Sequence, residues 1–181
     1  MLLMQVFVGV IFADPRIPDT PFQPRVDINE TRHALGDHTY RVSLINARGD
    51  KRSGLLALKT DFIDIDVSDH GSVEKRKVSI ASIDSIEFKK WKGTEGRGNE
   101  FLFYPAQIKI TLADKKIIEC RSDIKILNRL TLIDGKNSVS QYTYFYDYRE
   151  NNAWRNSGRS DLSYPETNPH EDTVLQIVFF R

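Results

Sequence analysis

The sequence has one cysteine, Cys120, and that scarcity excludes a good deal. No internal disulfide can form, and thiolate metal sites of the Cys-x-x-Cys kind are ruled out. No apolar run reaches the roughly 18 residues that a membrane-crossing helix needs, so the chain reads as not transmembrane. Charge of neither sign dominates. In 181 residues, 26 Lys and Arg stand against 25 Asp and Glu, which leaves nothing global to attract nucleic acid or an anionic membrane. Catalytic signatures are missing as well: there is no G-x-S-x-G elbow and no H-E-x-x-H. The glycines of "KGTEGRG", Gly93, Gly96 and Gly98, fit neither a P-loop nor a dinucleotide fingerprint. The expectation is a non-enzymatic protein with no cofactor and no metal centre.

Helical periodicity is nearly lacking too, while alternation recurs along the chain. The start "MLLMQVFVGVIFA", residues 1–13, resembles the apolar part of a signal peptide, with Ala13 at a plausible cleavage point. The competing reading is an apolar strand within the sheet. Residues 14–37 carry four prolines and read as an extended linker. Then come "HTYRVSLIN", "SGLLALK", "FIDIDV", "VEKRKVSI" and "SIEFKKW", five short strands between about residues 38 and 91, with "ASID" as a 3₁₀ turn before the last. The "KKWKGTEGRGNE" stretch reads as a loop or domain boundary. Beyond residue 100, "AQIKITL" and "KIIECR" flank a hairpin turn at "ADK", with Cys120 a small core residue. "IKILNRLTLI" leans towards strand, "SVSQYTYFYDYRE" reads as one strand, and "AWRNSGRSDLSYPETNPHED" as a long polar loop. "TVLQIVFF" closes the chain as a buried strand. The fold expected is all-β with little helix: a small five-stranded barrel over 38–92, followed by an antiparallel sheet over 100–181.

Five strands in that order resemble the small barrels of the Sm-like and SH3-like type. The resemblance rests on "YRVSLINARGDKRSGLLALKTDFIDIDV" and "VSIASIDSIEF". Gly54 stands where a bent second strand begins, Asp61 opens the third, and Ile83 and Ile86 begin the last. It covers roughly 50 residues and is a likeness of strand spacing, so it speaks to fold and not to function. The RNA-binding half of the pattern is not matched. Asp64 stands where Sm-like RNA binders place an Asn, and "ASID" supplies no basic loop.

"KTDFIDIDVSDHGSVEKRK" concentrates four aspartates and a histidine between Asp61 and His70. A hairpin turn at His70-Gly71 sets Asp66 opposite Lys75, Asp64 opposite Lys77, and Ile63 opposite Val78 on the other face. Cross-strand opposite charges stabilise by about 0.2–1 kcal/mol per pair, which accounts for those residue types without a metal. No Glu stands where a calcium loop needs its bidentate ligand.

Two aromatic features stand out as contact surfaces. Tyr142, Tyr144, Tyr146 and Tyr148 fall on one strand face, about 7 Å apart. They read either as a platform for sugar rings or a partner backbone, or as a row packed under the "AWRNSGRSDL" loop. Continuing the alternation of Ile86 and Phe88 puts Trp91 outward with Lys89 beside Lys90 and Lys92, where it could stack on a ligand or be covered by the second region. Arg48-Gly49-Asp50 at a hairpin tip suggests an adhesin-type motif but is also ordinary turn chemistry. His33, His38, His70 and His170 are scattered, and "HED" at 170–172 reads as a solvated loop.

The function expected is an exported (periplasmic or extracellular) interaction or structural module. It would bind a protein or glycan partner through Trp91, Lys89, Lys92, Tyr142, Tyr144 and Tyr146. The alternative is a cytoplasmic small-barrel protein that binds nucleic acid through Lys89, Lys90, Trp91, Lys92 and Arg97. A metal-dependent hydrolase on Asp64, Asp66 and His70 ranks below both. The sequence does not set the oligomeric state.

Overall fold

The computed structural model describes residues 38–69, 72–96, 100–121, 124–134, 137–150, 153–156, 159–162 and 168–181. The signal-like segment, the proline-rich linker, the His70-Gly71 turn and Arg97 lie outside these residues.

The alternating runs become strands: β1 (His38–Asn46), β2 (Lys51–Leu58), β3 (Phe62–Asp69), β4 (Ser72–Ser79), β5 (Ile83–Glu95), β6 (Glu100–Leu112) and β7 (Ile117–Cys120). After them come β8 (Arg129–Asp134), β9 (Asn137–Tyr142), β10 (Phe145–Glu150), β11 (Ala153–Asn156), β12 (Arg159–Leu162) and β13 (Val174–Phe179). Two 3₁₀ turns, Ile80–Ser82 and Lys125–Leu127, are the helical elements among the described residues. The first is the turn expected at "ASID". The second takes the front of the ambiguous "IKILNRLTLI", and the strand begins only at Arg129.

Eleven strands make one antiparallel sheet in the order β12-β11-β10-β6-β5-β13-β1-β2-β8-β9, with β7 also on β6. No closed barrel is found among the described residues, which corrects the five-stranded barrel expected over 38–92. The reason lies in the pairing. The chain's last strand, β13, is inserted between β1 and β5, and β2 takes β8 as its other neighbour. Residues before 92 and after 100 therefore contribute to the same sheet. They also contribute to the same hydrophobic cluster, which joins Leu56, Ile86, Ile110, Leu132 and Ile177. The first part of the glycine-rich stretch after Trp91 is strand: β5 continues through Gly93 to Glu95 and pairs with β6 to Phe101, while residues 97–99 lie outside the described residues. Likewise the polar "AWRNSGRSDL" region holds β11 and β12 rather than a loop.

The sheet must curl. In sheet order six strands separate β9 from β10, a path of about 34 Å at the usual interstrand spacing. In sequence only Thr143 and Tyr144 separate them, a step of at most roughly 11 Å. The arc brings its ends together without a β9–β10 ladder among the described residues. Its core side holds the buried side chains.

Strands β3 and β4 form a separate two-stranded sheet. Their register has Ile63 opposite Val78, Asp64 opposite Lys77 and Asp66 opposite Lys75, as the sequence pattern requires. Ile63, Ile65 and Val78 are buried in the common cluster, while Lys75 and Lys77 are exposed. Asp64 and Asp66 lie on the solvent side of the hairpin, and Lys77 lies 5.2 Å from the centre of the Phe62 ring.

Candidate functional site

The tyrosine row survives, but not on one strand. Tyr142 ends β9 opposite Arg129 of β8, whereas Tyr146 and Tyr148 lie in β10 opposite Leu102 and Glu100 of β6. The break at Thr143-Tyr144 keeps the alternation: Thr143, Phe145 and Asp147 are buried, and Tyr142, Tyr144, Tyr146 and Tyr148 remain partly or largely exposed. Rings meet across the break, with Tyr142 and Tyr144 edge to face at 5.3 Å and Tyr144 5.4 Å from Tyr104. Tyr104 was not foreseen; it joins the face from β6, opposite Lys92. Partial burial, then the neighbouring phenols Tyr142 and Tyr104, push the Tyr144 hydroxyl above its ordinary pKa. Burial and the Glu100 carboxylate do the same to Tyr146.

Thr143 fixes the break. Its amide donates to the Asn128 carbonyl over 3.1 Å, its hydroxyl donates to the Leu127 carbonyl over 3.1 Å, and its own carbonyl accepts the Trp91 indole N–H at 2.7 Å. Two of these bonds tie the step between β9 and β10 to the 3₁₀ turn and its end, and the third ties it to β5. A fully buried Thr is hydrogen-bonded for the usual reason, since an unpaired buried polar group is costly.

Trp91 is therefore not the outward aromatic that the alternation suggested. Irregularities in the β5–β6 register between Phe88 and Trp91 insert a bulge. Lys89 and Lys90 consequently both face solvent, and the phase beyond them is reversed. Trp91 turns to the core side, packs against the cluster and lies 6.3 Å from Phe145. Gly93 follows on the same side, where a Cβ would come within 2.1 Å of Phe101 and 2.8 Å of Phe103. Glycine is required there by space. Of the cationic candidates, Lys92 remains exposed across from Tyr104. Lys89 is 3.7 Å from Glu119 and away from the tyrosines' strands.

Two imidazole–carboxylate pairs went unread in the sequence. Asp147 is fully buried, with its Oδ1 3.1 Å from His170 Nε2. His170, 14% exposed, meets the Phe145 ring at a tilt, with centroids 4.8 Å apart. The "HED" segment is thus not a solvated loop throughout. Its histidine enters the sheet's core side, and Asp172 and Glu171 turn the other way to Arg48, at 3.0 and 3.5 Å. Those contacts hold the arginine of the Arg48-Gly49-Asp50 turn against this segment.

The second pair lies at the start of β1. Asp61 accepts the Tyr40 hydroxyl at 2.7 Å and contacts His38 Nδ1 through the same oxygen. Burial, then the hydrogen bond to Asp61 and its charge, push the Tyr40 phenol up to about 12. These groups border an open cleft of about 450 Å³ with Phe62, Ser79 and Ala81. The network fastens β1 to the turn before β3. Among the described residues no three His, Cys, Asp or Glu side chains are grouped to hold a metal ion.

Compared with protein-family models, curated proteins and solved structures, the chain has no match in any of them. Nothing in those comparisons identifies a Sm-like or SH3-like relative.

Proposed function

We propose that the protein is an exported, non-enzymatic interaction module that binds a protein or glycan partner through its tyrosine face. The observation that carries the reading is the contact of Tyr104, Tyr142 and Tyr144 on one exposed side of the sheet, continued by Tyr146 and Tyr148. Phenols offer a large rigid apolar area with a polar tip, and they lose little conformational freedom on binding. Lys92 and Arg129 border them with positive charge. Trp91 supports the face from beneath. The export half of the reading is supported by residues 1–13 alone.

The test is binding to a glycan array and to envelope or extracellular proteins of the source cell, comparing the wild type with Tyr144→Ala and Tyr146→Ala. Loss of a central aromatic anchor should weaken binding about tenfold or more. Equal binding by all three proteins would sink the reading.

A second reading, nucleic-acid binding, draws on the bulge that exposes Lys89 and Lys90 together near Lys92. It requires RNA or DNA affinity that falls steeply with salt and is lost when these lysines become alanine.

A further inference from the structure

The tyrosine row has a polarity that its rings alone do not reveal. Lys92 of β5 stands directly opposite Tyr104 of β6, and Tyr104 meets Tyr144 ring to ring at 5.4 Å. Tyr142 meets Tyr144 in turn at 5.3 Å and stands directly opposite Arg129 of β8. Directly opposed residues of an antiparallel pair share a face, so the two cations bracket a patch of phenols. Both are exposed, and neither takes part in an ion pair among the described residues. Arg129 reaches the Ser140 hydroxyl at 3.3 Å, a weak contact beside the donors that a guanidinium carries.

The other end of the row differs. Glu100 of β6 stands opposite Tyr148. Beyond burial and neighbouring phenols, the charge felt by the Tyr144 hydroxyl is that of Arg129, and the charge felt by Tyr146 is that of Glu100. A ligand laid along the row thus meets positive charge at Tyr142 and Tyr144, and negative charge at Tyr146 and Tyr148.

That pattern separates the ligand classes. Extended peptides are held chiefly by backbone bonds from a sheet edge, and β6, which carries Tyr104, has β5 on one side and β10 and β7 on the other. A nucleic-acid strand carries a phosphate at every nucleotide, so it would set some of them against Glu100. Sugars suit what is offered. Their apolar C–H faces pack on phenol rings, their hydroxyls pair with the phenol tips, and an acidic sugar within a neutral chain matches a patch with charge at one end. A guanidinium fork also fits a carboxylate in particular.

We infer that the tyrosine face takes an acidic oligosaccharide, with a carboxylate-bearing sugar over Tyr104, Tyr142 and Tyr144, between Lys92 and Arg129, and uncharged sugars continuing over Tyr146. The inference rests on the reading of this face as a contact surface and narrows its partner to one class.

The experiment is calorimetric titration of the full chain with oligosaccharides that carry galacturonate, glucuronate, mannuronate or sialic acid. Each is paired with its carboxyl-reduced, uncharged counterpart, and an oligothymidylate is run beside them. Wild type should bind an acidic member about tenfold or more tighter than its reduced counterpart. Lys92→Gln and Arg129→Gln should each remove most of that preference, and Glu100→Gln should keep or enlarge it. The substituted side chains are exposed, and unchanged thermal midpoints confirm that the fold is intact. Absence of a preference for any acidic member overturns the inference, as does a preference that both cation variants retain. Tighter binding of the oligothymidylate overturns it by making nucleic acid the ligand. If no acid preference is found while Tyr144→Ala still abolishes binding of a neutral glycan or a protein, the acidic ligand alone has failed and the binding face stands.

Discussion

Trp91 and Thr143, fifty-two residues apart, are joined by a 2.7 Å hydrogen bond from the indole N–H to the backbone carbonyl. This bond holds the point where β9 gives way to β10, and with it the spacing of Tyr142 and Tyr144 on the opposite face. An aromatic expected to touch a partner instead organises those that face outward.

Replacing Trp91 with Phe removes the donor and strands the Thr143 carbonyl. We expect a loss of about 1–3 kcal/mol in urea unfolding. Trp91→Ala, which also empties the ring's site, should cost about 3–5 kcal/mol. If Trp91→Phe unfolds at the wild-type urea concentration, the bond contributes nothing to the break.

Gly93→Ala places a methyl group against two phenylalanine rings. The expected cost is about 1–3 kcal/mol from overpacking, read as a lowered thermal midpoint. Adding Phe101→Leu, which withdraws the nearer ring, should recover part of it. A single variant as stable as wild type would mean that the two rings yield freely.

His170→Ala deprives the buried Asp147 carboxylate of a neighbour 3.1 Å away. Because truncating one member of a buried pair exposes the other's desolvation cost, a loss of about 1–3 kcal/mol is expected. The same change in an Asp147→Asn background should cost less, and a double-mutant cycle measures the difference. Strict additivity would show that the two side chains are uncoupled.

Tyr40 should be the late phenol in an alkaline titration. Its folded-state pKa, about 12, lies above the ordinary 10.0. Its contribution to stability is thus complete below pH 10 and lost as pH rises towards 12. Ultraviolet absorbance at the phenolate band should show a late step that moves to lower pH in Asp61→Asn. If the step stays in place, the Asp61 contact is not among its causes.

The register of β3 and β4 was legible because two patterns had to agree. Charges at Asp64, Asp66, Lys75 and Lys77 and apolar residues at Ile63 and Val78 admit one pairing. The bulge before Trp91 was not legible. "SIEFKKWKG" alternates acceptably in either phase, and paired irregularities between Phe88–Trp91 and Pro105–Ile108 reverse the side chains beyond them on both strands. Nor could the insertion of β13 between β1 and β5 be read, since long-range neighbours are chosen by the whole core rather than by a local run. The buried Asp147 did leave a signal. If the tyrosines at 142, 144, 146 and 148 share one face, Thr143, Phe145 and Asp147 must share the other. An aspartate there needs a partner, which His170 supplies from twenty-three residues away.

Among the described residues, the curled sheet meets itself through two residues of chain and not through a ladder of backbone bonds. That makes the junction of β9 and β10 a seam rather than a weld. Parting it breaks the three bonds of Thr143 and the Tyr142–Tyr144 contact but leaves every strand pair intact. The tyrosine row lies across this seam, with Tyr142 on one bank and Tyr144, Tyr146 and Tyr148 on the other. Whatever settles on the row is therefore a clasp, and the strength of its grip is also the resistance of the whole arc to being sprung open.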